Sequence, residues 1–187
     1  VLQPTVDEMR RRGTPFSGLL YAGLAITSRG VRVIEFNARF GDPETQVVLA
    51  RLETPLAGLL LAAAAGAATT TGRATGRGAA ALADLEPLRW SDDAAVTVVI
   101  ASHNYPGAPR TGDPVEGLAE VAAEGAPHTY VLHAGTKQDG ANVVSAGGRV
   151  LSVTATGADL TEARERAYAA VSRIRLDGSQ HRTDIAE

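Results

Sequence analysis

Ile34-Glu35-Phe36-Asn37-Ala38-Arg39-Phe40-Gly41-Asp42-Pro43-Glu44-Thr45 sets a polar side chain at every second position of an otherwise apolar run. Side chains of an extended chain alternate between faces, so Glu35, Asn37 and Arg39 are expected on one face and Ile34, Phe36, Ala38 and Phe40 on the other. The apolar set predicts a core face. The polar set offers a carboxylate, an amide oxygen and a guanidinium, with neighbours about 6.5–7 Å apart along the backbone.

That trio suits a metal-bound polyphosphate. Mg²⁺ takes oxygen ligands in an octahedron and usually keeps one or two protein carboxylates, leaving the other positions to water and substrate phosphates. Glu35 and Asn37 are the candidate metal ligands. Arg39, always charged and forked, is the candidate catalytic group that meets a phosphate or a developing acyl phosphate. Gly41 to Glu44 predicts a turn into a helix, with Asp42 as N-cap and Pro43 in the first helical position. A helix N-terminus there would itself favour an anion.

Composition narrows the classes. With 187 residues, 44% hydrophobic and 21% charged, the chain suffices for one good domain or two small ones. No apolar run is long enough to span a bilayer, and no basic stretch followed by an apolar one reads as a signal peptide, so a cytoplasmic protein without a membrane partner is expected. The absence of cysteine excludes disulfides, thiolate nucleophiles and thiolate zinc sites. A net charge of −3 argues against general nucleic-acid binding. Lys137 is the only lysine against many arginines, a bias that reads as base composition and singles that lysine out. The chain opens at Val1 with a helix already predicted over Pro4–Arg12, and a piece of a longer protein is therefore expected.

Along the chain, a hairpin is predicted from Ser17–Thr27 and Val31–Phe40 around Ser28-Arg29-Gly30, then helices over 43–52 and 55–65. Gly66 to Ala81, built of Ala, Thr, Gly and Arg, reads as a weak helix or linker. Strands are predicted at Ala94–Ser102, Thr129–Ala134, Asn142–Ala146 and Arg149–Thr156, the last two joined as a hairpin by Gly147-Gly148. Asp159 caps a helix running to Ile174, with Leu160, Ala163, Ala167, Ala170, Val171 and Ile174 on one face. The fold class is α+β. Three parts are expected: 1–66 around the polar strand, a linker at 67–89, and a small antiparallel sheet with a covering helix at 90–187.

The run Glu35 to Gln46 resembles the phosphoribosylamine–glycine ligase family, the glycinamide ribonucleotide synthetases. Tyr105-Pro106-Gly107, Arg110-Thr111-Gly112-Asp113, His133-Ala134-Gly135-Thr136-Lys137 and Gly147 to Ala155 resemble the same family in the same order. The resemblance implies the C-terminal half of an ATP-grasp domain followed by the small C-terminal domain, with the N-terminal half elsewhere. It implies ATP as substrate with Mg²⁺ or Mn²⁺ on Glu35 and Asn37. Glycine and 5-phosphoribosylamine would join through glycyl phosphate, giving glycinamide ribonucleotide, ADP and phosphate.

Asp42, Glu44, Thr136 and Lys137 become substrate-binding candidates on this reading, and the enzyme is expected to be a monomer. Many ATP-grasp enzymes add a carboxylate from the preceding strand, near Tyr21 here, which leaves the ligands of a second metal open. Two alternatives stand beside this one: another ATP-grasp carboxylate–amine ligase, and a non-catalytic assembly module retaining half the fold.

Overall fold

The computed structural model describes residues 1–70, Leu82 and 85–187. The chain divides into two compact units, Val1–Asp42 with Leu52–Trp90, and Pro43–Arg51 with Ser91–Glu187. The predicted linker at 67–89 falls largely outside the described residues.

The first unit opens with α1 (Leu2–Arg11), followed by the antiparallel pair β1 (Tyr21–Thr27) and β2 (Gly30–Asn37), and later α3 (Leu56–Thr70). The hairpin closes on Ser28-Arg29, with Thr27 opposite Gly30 and Gly30 at φ +90°, a conformation that favours glycine. Ser17 Oγ donates to Ala63 O at 2.9 Å, tying the approach to β1 to α3. Leu52 bridges Trp90, and Glu53 N donates to Arg89 O at 3.0 Å.

The expected core face of the polar strand is not covered. Ile34 is 70% exposed, and Phe36 and Phe40 are exposed with it. Alternation sets which side chains share a face, but burial needs a second layer, and among the described residues of this unit only Ala62 is buried.

The second unit carries the core. β7 (Arg149–Gly157) is the centre of a three-stranded antiparallel sheet, flanked by β3 (Ala94–Ala101) and β4 (Thr129–His133). Val98 faces Val153 and Ile100 faces Leu151 across β3–β7, and this face packs on α5 (Leu160–Val171) through Ala163, Ala167 and Ala170. Small residues on the helix let it lie close to the β-branched sheet. The other face carries Thr97 and Thr154, whose hydroxyls lie 2.9 Å apart. α2 (Glu44–Arg51) packs on β3 and β7 as well, and Gln46 Nε2 donates to Ser152 Oγ at 3.5 Å.

Asp159 caps α5 by accepting from Glu162 N at 2.8 Å, while the Glu162 carboxylate accepts from Ala158 N at 2.7 Å. Both contacts satisfy backbone donors that the first turn would leave open. The helix ends at Val171 instead of Ile174, and Leu160 is exposed.

Two elements escaped the sequence reading, α4 (Leu118–Gly125) and β5 (Thr136–Asp139). The Gly147-Gly148 hairpin is corrected. β6 (Asn142–Ser145) pairs with β5, turning at Gly140 with φ +58°, while β7 pairs with β3 and β4. Asp139 opposite Asn142 leaves a two-residue loop of the kind that fixes hairpin register, whereas the second Gly pair serves a close backbone approach.

Candidate functional site

Glu35 and Asn37 project from the same side of β2, and Asn37 Nδ2 donates to Glu35 Oε1 at 2.9 Å. Across the hairpin, Asn37 stands opposite Tyr21 and Glu35 opposite Gly23. The preceding strand therefore offers no carboxylate at either cross-strand position. The register shifts between Gly23 and Leu24, which leaves Ile34 unpaired as a bulge in β2 and bends that strand beside Glu35.

Arg39 lies beyond the strand on which it was expected. β2 ends at Asn37, and Arg39 sits in the bend beyond, with Nη1 donating to Phe40 O at 2.9 Å. Once the strand ends, period-two alternation no longer dictates where its side chain goes. Asp42 and Pro43 form the turn before α2, which begins at Glu44. Glu44 is exposed in the first turn of that helix, in the second unit.

Thr136 and Lys137 are the first two residues of β5. Thr136 Oγ1 is 2.9 Å from His133 Nδ1, so the histidine joins this group through the hydroxyl. Lys137 is exposed opposite Val144. Three motif segments meet at this end of the sheet. Ala146 N donates to Gly135 O at 2.7 Å, and Ser102 N to Gly148 O at 2.9 Å. A Cβ at Gly135 would lie 3.0 Å from Gly147 Cα, and one at Gly148 would enter the Tyr105 ring. The glycines are thus needed for close approach, which brings Tyr105 beside Arg149. The sequence reading quoted both residues as motif members and assigned neither a role.

The donor set on β2 fits a hard divalent cation. Carboxylate and amide oxygens at adjacent same-face positions supply two ligands, leaving the rest of an octahedron to water and phosphate oxygens. Among the described residues no group of three or more His, Asp or Glu converges as a further site. No described helix is long and apolar enough to cross a membrane.

Residues 1–45 match the phosphoribosylglycinamide synthetase ATP-grasp (A) domain, and residues 95–187 match the C domain of the same synthetase. A phosphoribosylamine–glycine ligase of Streptomyces coelicolor is 81% identical over 186 residues, covering 100% of this chain and 41% of its own length. That of Leifsonia xyli is 52% identical over the same shares. The chain belongs to the phosphoribosylglycinamide synthetase family. A crystal structure of phosphoribosylamine–glycine ligase from Thermotoga maritima has a TM-score of 0.69 and 28% identity, covering 94% of this chain and 39% of that one.

The chain thus spans about two-fifths of the length of these curated relatives. Its ATP-grasp match takes in Glu35, Asn37, Arg39, Asp42 and Glu44, and its C-domain match takes in Tyr105, Thr136, Lys137 and Arg149.

Proposed function

We propose that this chain is the C-terminal part of a cytoplasmic, monomeric phosphoribosylamine–glycine ligase, which joins glycine to 5-phosphoribosylamine with ATP. The observation that carries the reading is 81% identity, over the whole chain, to a ligase so named. We further propose the functional division as an ATP-grasp part at 1–66, a linker at 67–89 and a C-terminal domain at 90–187.

Glu35 and Asn37 would hold Mg²⁺ or Mn²⁺, which when bound spreads the charge on the transferring phosphoryl group. Asn37 Nδ2 on Glu35 Oε1 holds the two side chains together and leaves Asn37 Oδ1 and Glu35 Oε2 outside that bond. Arg39 stabilises phosphate oxygens as the glycine carboxylate attacks the γ-phosphate of ATP and ADP leaves, forming glycyl phosphate. The amine of phosphoribosylamine then attacks the acyl carbon and phosphate departs. Asp42 and Glu44 hold the glycine ammonium or a ribose hydroxyl, and Thr136 with Lys137 contacts substrate phosphate or carboxylate. Catalysis is positioning and electrostatic stabilisation, and no covalent protein nucleophile is required.

Phosphate release by the full-length protein, measured with glycine and phosphoribosylamine and against other acid–amine pairs, tests the reading. Release strictly dependent on that pair is expected, and dependence on another pair would overturn it. The 187-residue chain alone is expected to turn over nothing.

A further inference from the structure

Two Asp-Gly steps occur in the chain, Asp139-Gly140 and Asp177-Gly178, and both lie at turns of the second unit. Their surroundings differ. From that difference we infer that Asp139 is a site of spontaneous backbone modification, isomerising to isoaspartate in the folded protein, while Arg110 protects Asp177 from the same change.

The chemistry needs only the chain and water. The Gly140 amide nitrogen attacks Cγ of the protonated Asp139 carboxyl, and the carboxyl hydroxyl leaves as water with the amide proton, closing a succinimide. Water then adds to one of the two ring carbonyls. Addition at the former main-chain carbonyl breaks its bond to Gly140 N, and the chain thereafter runs through Cβ and Cγ. Glycine favours the step because it sets no side chain beside the attacking nitrogen.

Ring closure requires Cγ to swing over the Gly140 nitrogen, so the carboxyl and the peptide that joins the pair must both be free to turn. At Asp139 both are. Asp139 ends β5, its pairing with Asn142 is the last rung of the β5–β6 ladder, and Gly140 at φ +58° starts the two-residue loop. A rung beside a loop opens more readily than one inside a sheet. Among the described residues the Asp139 carboxylate has no hydrogen bond or ion pair, and nothing lies within 4 Å of a Cβ built on Gly140. Gln138 Nε2 donates to Gly140 O at 3.1 Å, a bond exposed to solvent.

Asp177 is no less accessible, its side chain being 86% exposed, so exposure does not separate the two steps. Its bonds do. Arg110 Nη2 donates to Asp177 Oδ2 at 2.6 Å and to Asp177 O at 2.8 Å, which fixes the carboxylate and the peptide together. Nε of the same arginine donates to Asp113, and Ser179 N donates to Leu176 O at 3.0 Å, closing the turn around the step. Gly178 lies against His103, where a Cβ would come 2.8 Å from Nδ1.

Isomerisation adds a carbon to the main chain at the end of β5, and the two-residue loop that sets the hairpin register no longer fits. Thr136 and Lys137 stand on that strand. The modification itself needs no substrate, so failure of the ligase reading would leave it standing.

The test is peptide mapping of the full-length protein after weeks in ¹⁸O-labelled water at neutral pH, folded and, in parallel, unfolded in guanidinium chloride. In the folded protein isoaspartate carrying one ¹⁸O is expected at 139 at a level about tenfold or more above that at 177, because the opening free energy of each step sets its rate. In guanidinium chloride the two steps are expected to react alike. Arg110→Gln, where it folds, is expected to raise the product at 177 towards that at 139; where it does not fold, the comparison with guanidinium chloride carries the test. No isoaspartate at 139, equal levels at the two steps in the folded protein, the same bias in guanidinium chloride, or unchanged protection of 177 in a folded Arg110→Gln protein would overturn the inference.

Discussion

Gly23 lies directly across the hairpin from Glu35, and a Cβ built on it would sit 3.1 Å from Glu35 Cγ. The glycine gives the carboxylate room over the neighbouring strand. Alanine there would displace an exposed, flexible side chain, so the fold has little to lose: a change within about 0.5 kcal/mol is expected. The carboxylate, however, must swing from its position beside Asn37. In the full-length protein Gly23→Ala is expected to raise the Mg²⁺ concentration for half-maximal phosphate release severalfold, and Gly23→Val more. Unchanged Mg²⁺ dependence in both variants would argue against Glu35 as a ligand.

Removing the proposed ligands themselves should separate activity from stability. Glu35 and Asn37 are solvent-accessible and bonded to each other, so neither supports a core. Glu35→Gln and Asn37→Leu are each expected to slow phosphoryl transfer by on the order of 100-fold, at the top of the 10–100-fold range typical of outer-shell partners. The denaturation midpoint should hold. Parallel losses of midpoint and rate would mark the pair as structural.

The alternation in Ile34 to Phe40 was sufficient to put Glu35 and Asn37 together, because one face of a strand is a local property of the backbone. It did not extend to Arg39, since where β2 stops depends on its partner strand, and Tyr21 pairs no further than Asn37. Burial of Phe36 and Ile34 was illegible for a related reason, because hydrophobicity does not name the layer that covers it. The pairing of β6 was open to reading in Asp139-Gly140, yet the Gly147-Gly148 pair gave an equally good local signal for the wrong partner. α4 is eight residues long, starts after Gly117 at φ +86° and has no side-chain cap, so it lacks the marks by which helices are found. Arg149 and Arg182 are 33 positions apart in sequence, and long-range contacts of the tail, the Gln180–Ala101 bridge and the Tyr168 hydroxyl on Arg182 O among them, bring them to one edge.

Leu151 is the largest fully buried side chain of the second unit and sits mid-sheet between Ile100 and His133. Its neighbours are held by two strands and a helix, so a cavity there cannot collapse fully. Leu151→Ala is expected to cost about 2–5 kcal/mol in denaturant unfolding. Asp159→Ala, which removes one capping bond at the end of α5, should cost about 1 kcal/mol.

Hydrogen bonding from Arg182 holds the Asp184 carboxyl below the ordinary aspartate range. A folded value depressed below the unfolded one means that the contact stabilises at pH above the unfolded value and is lost as pH falls through the folded value. The tail around Asp184 should therefore stay pinned through neutral and mildly acidic pH and loosen only in strong acid. A ¹³C carboxyl titration is expected to place the Asp184 midpoint below about 3.9, the reference for a free aspartate. Arg182→Gln should return it to that reference, and an identical midpoint in the variant would show that the pair does not form in solution.

Gly135 tests whether the meeting of loops at the end of the central sheet is structural or chemical. A Cβ there would lie 2.5 Å from Arg149 O and 3.0 Å from Gly147 Cα, both backbone atoms that cannot rotate aside. The 133–137 and 147–149 segments would have to part, stretching the Ala146 N to Gly135 O bond of 2.7 Å. Gly135→Ala is expected to cost about 1–3 kcal/mol, in the range of overpacking a tight site. Gly140→Ala serves as the comparison. Gly140 has φ +58° and nothing within 4 Å of its Cβ, so alanine there strains only the turn of the β5–β6 hairpin. Stability should fall in both variants, but the Ala146 amide should lose hydrogen-exchange protection only in Gly135→Ala; protection unchanged there would show that the two segments need not part.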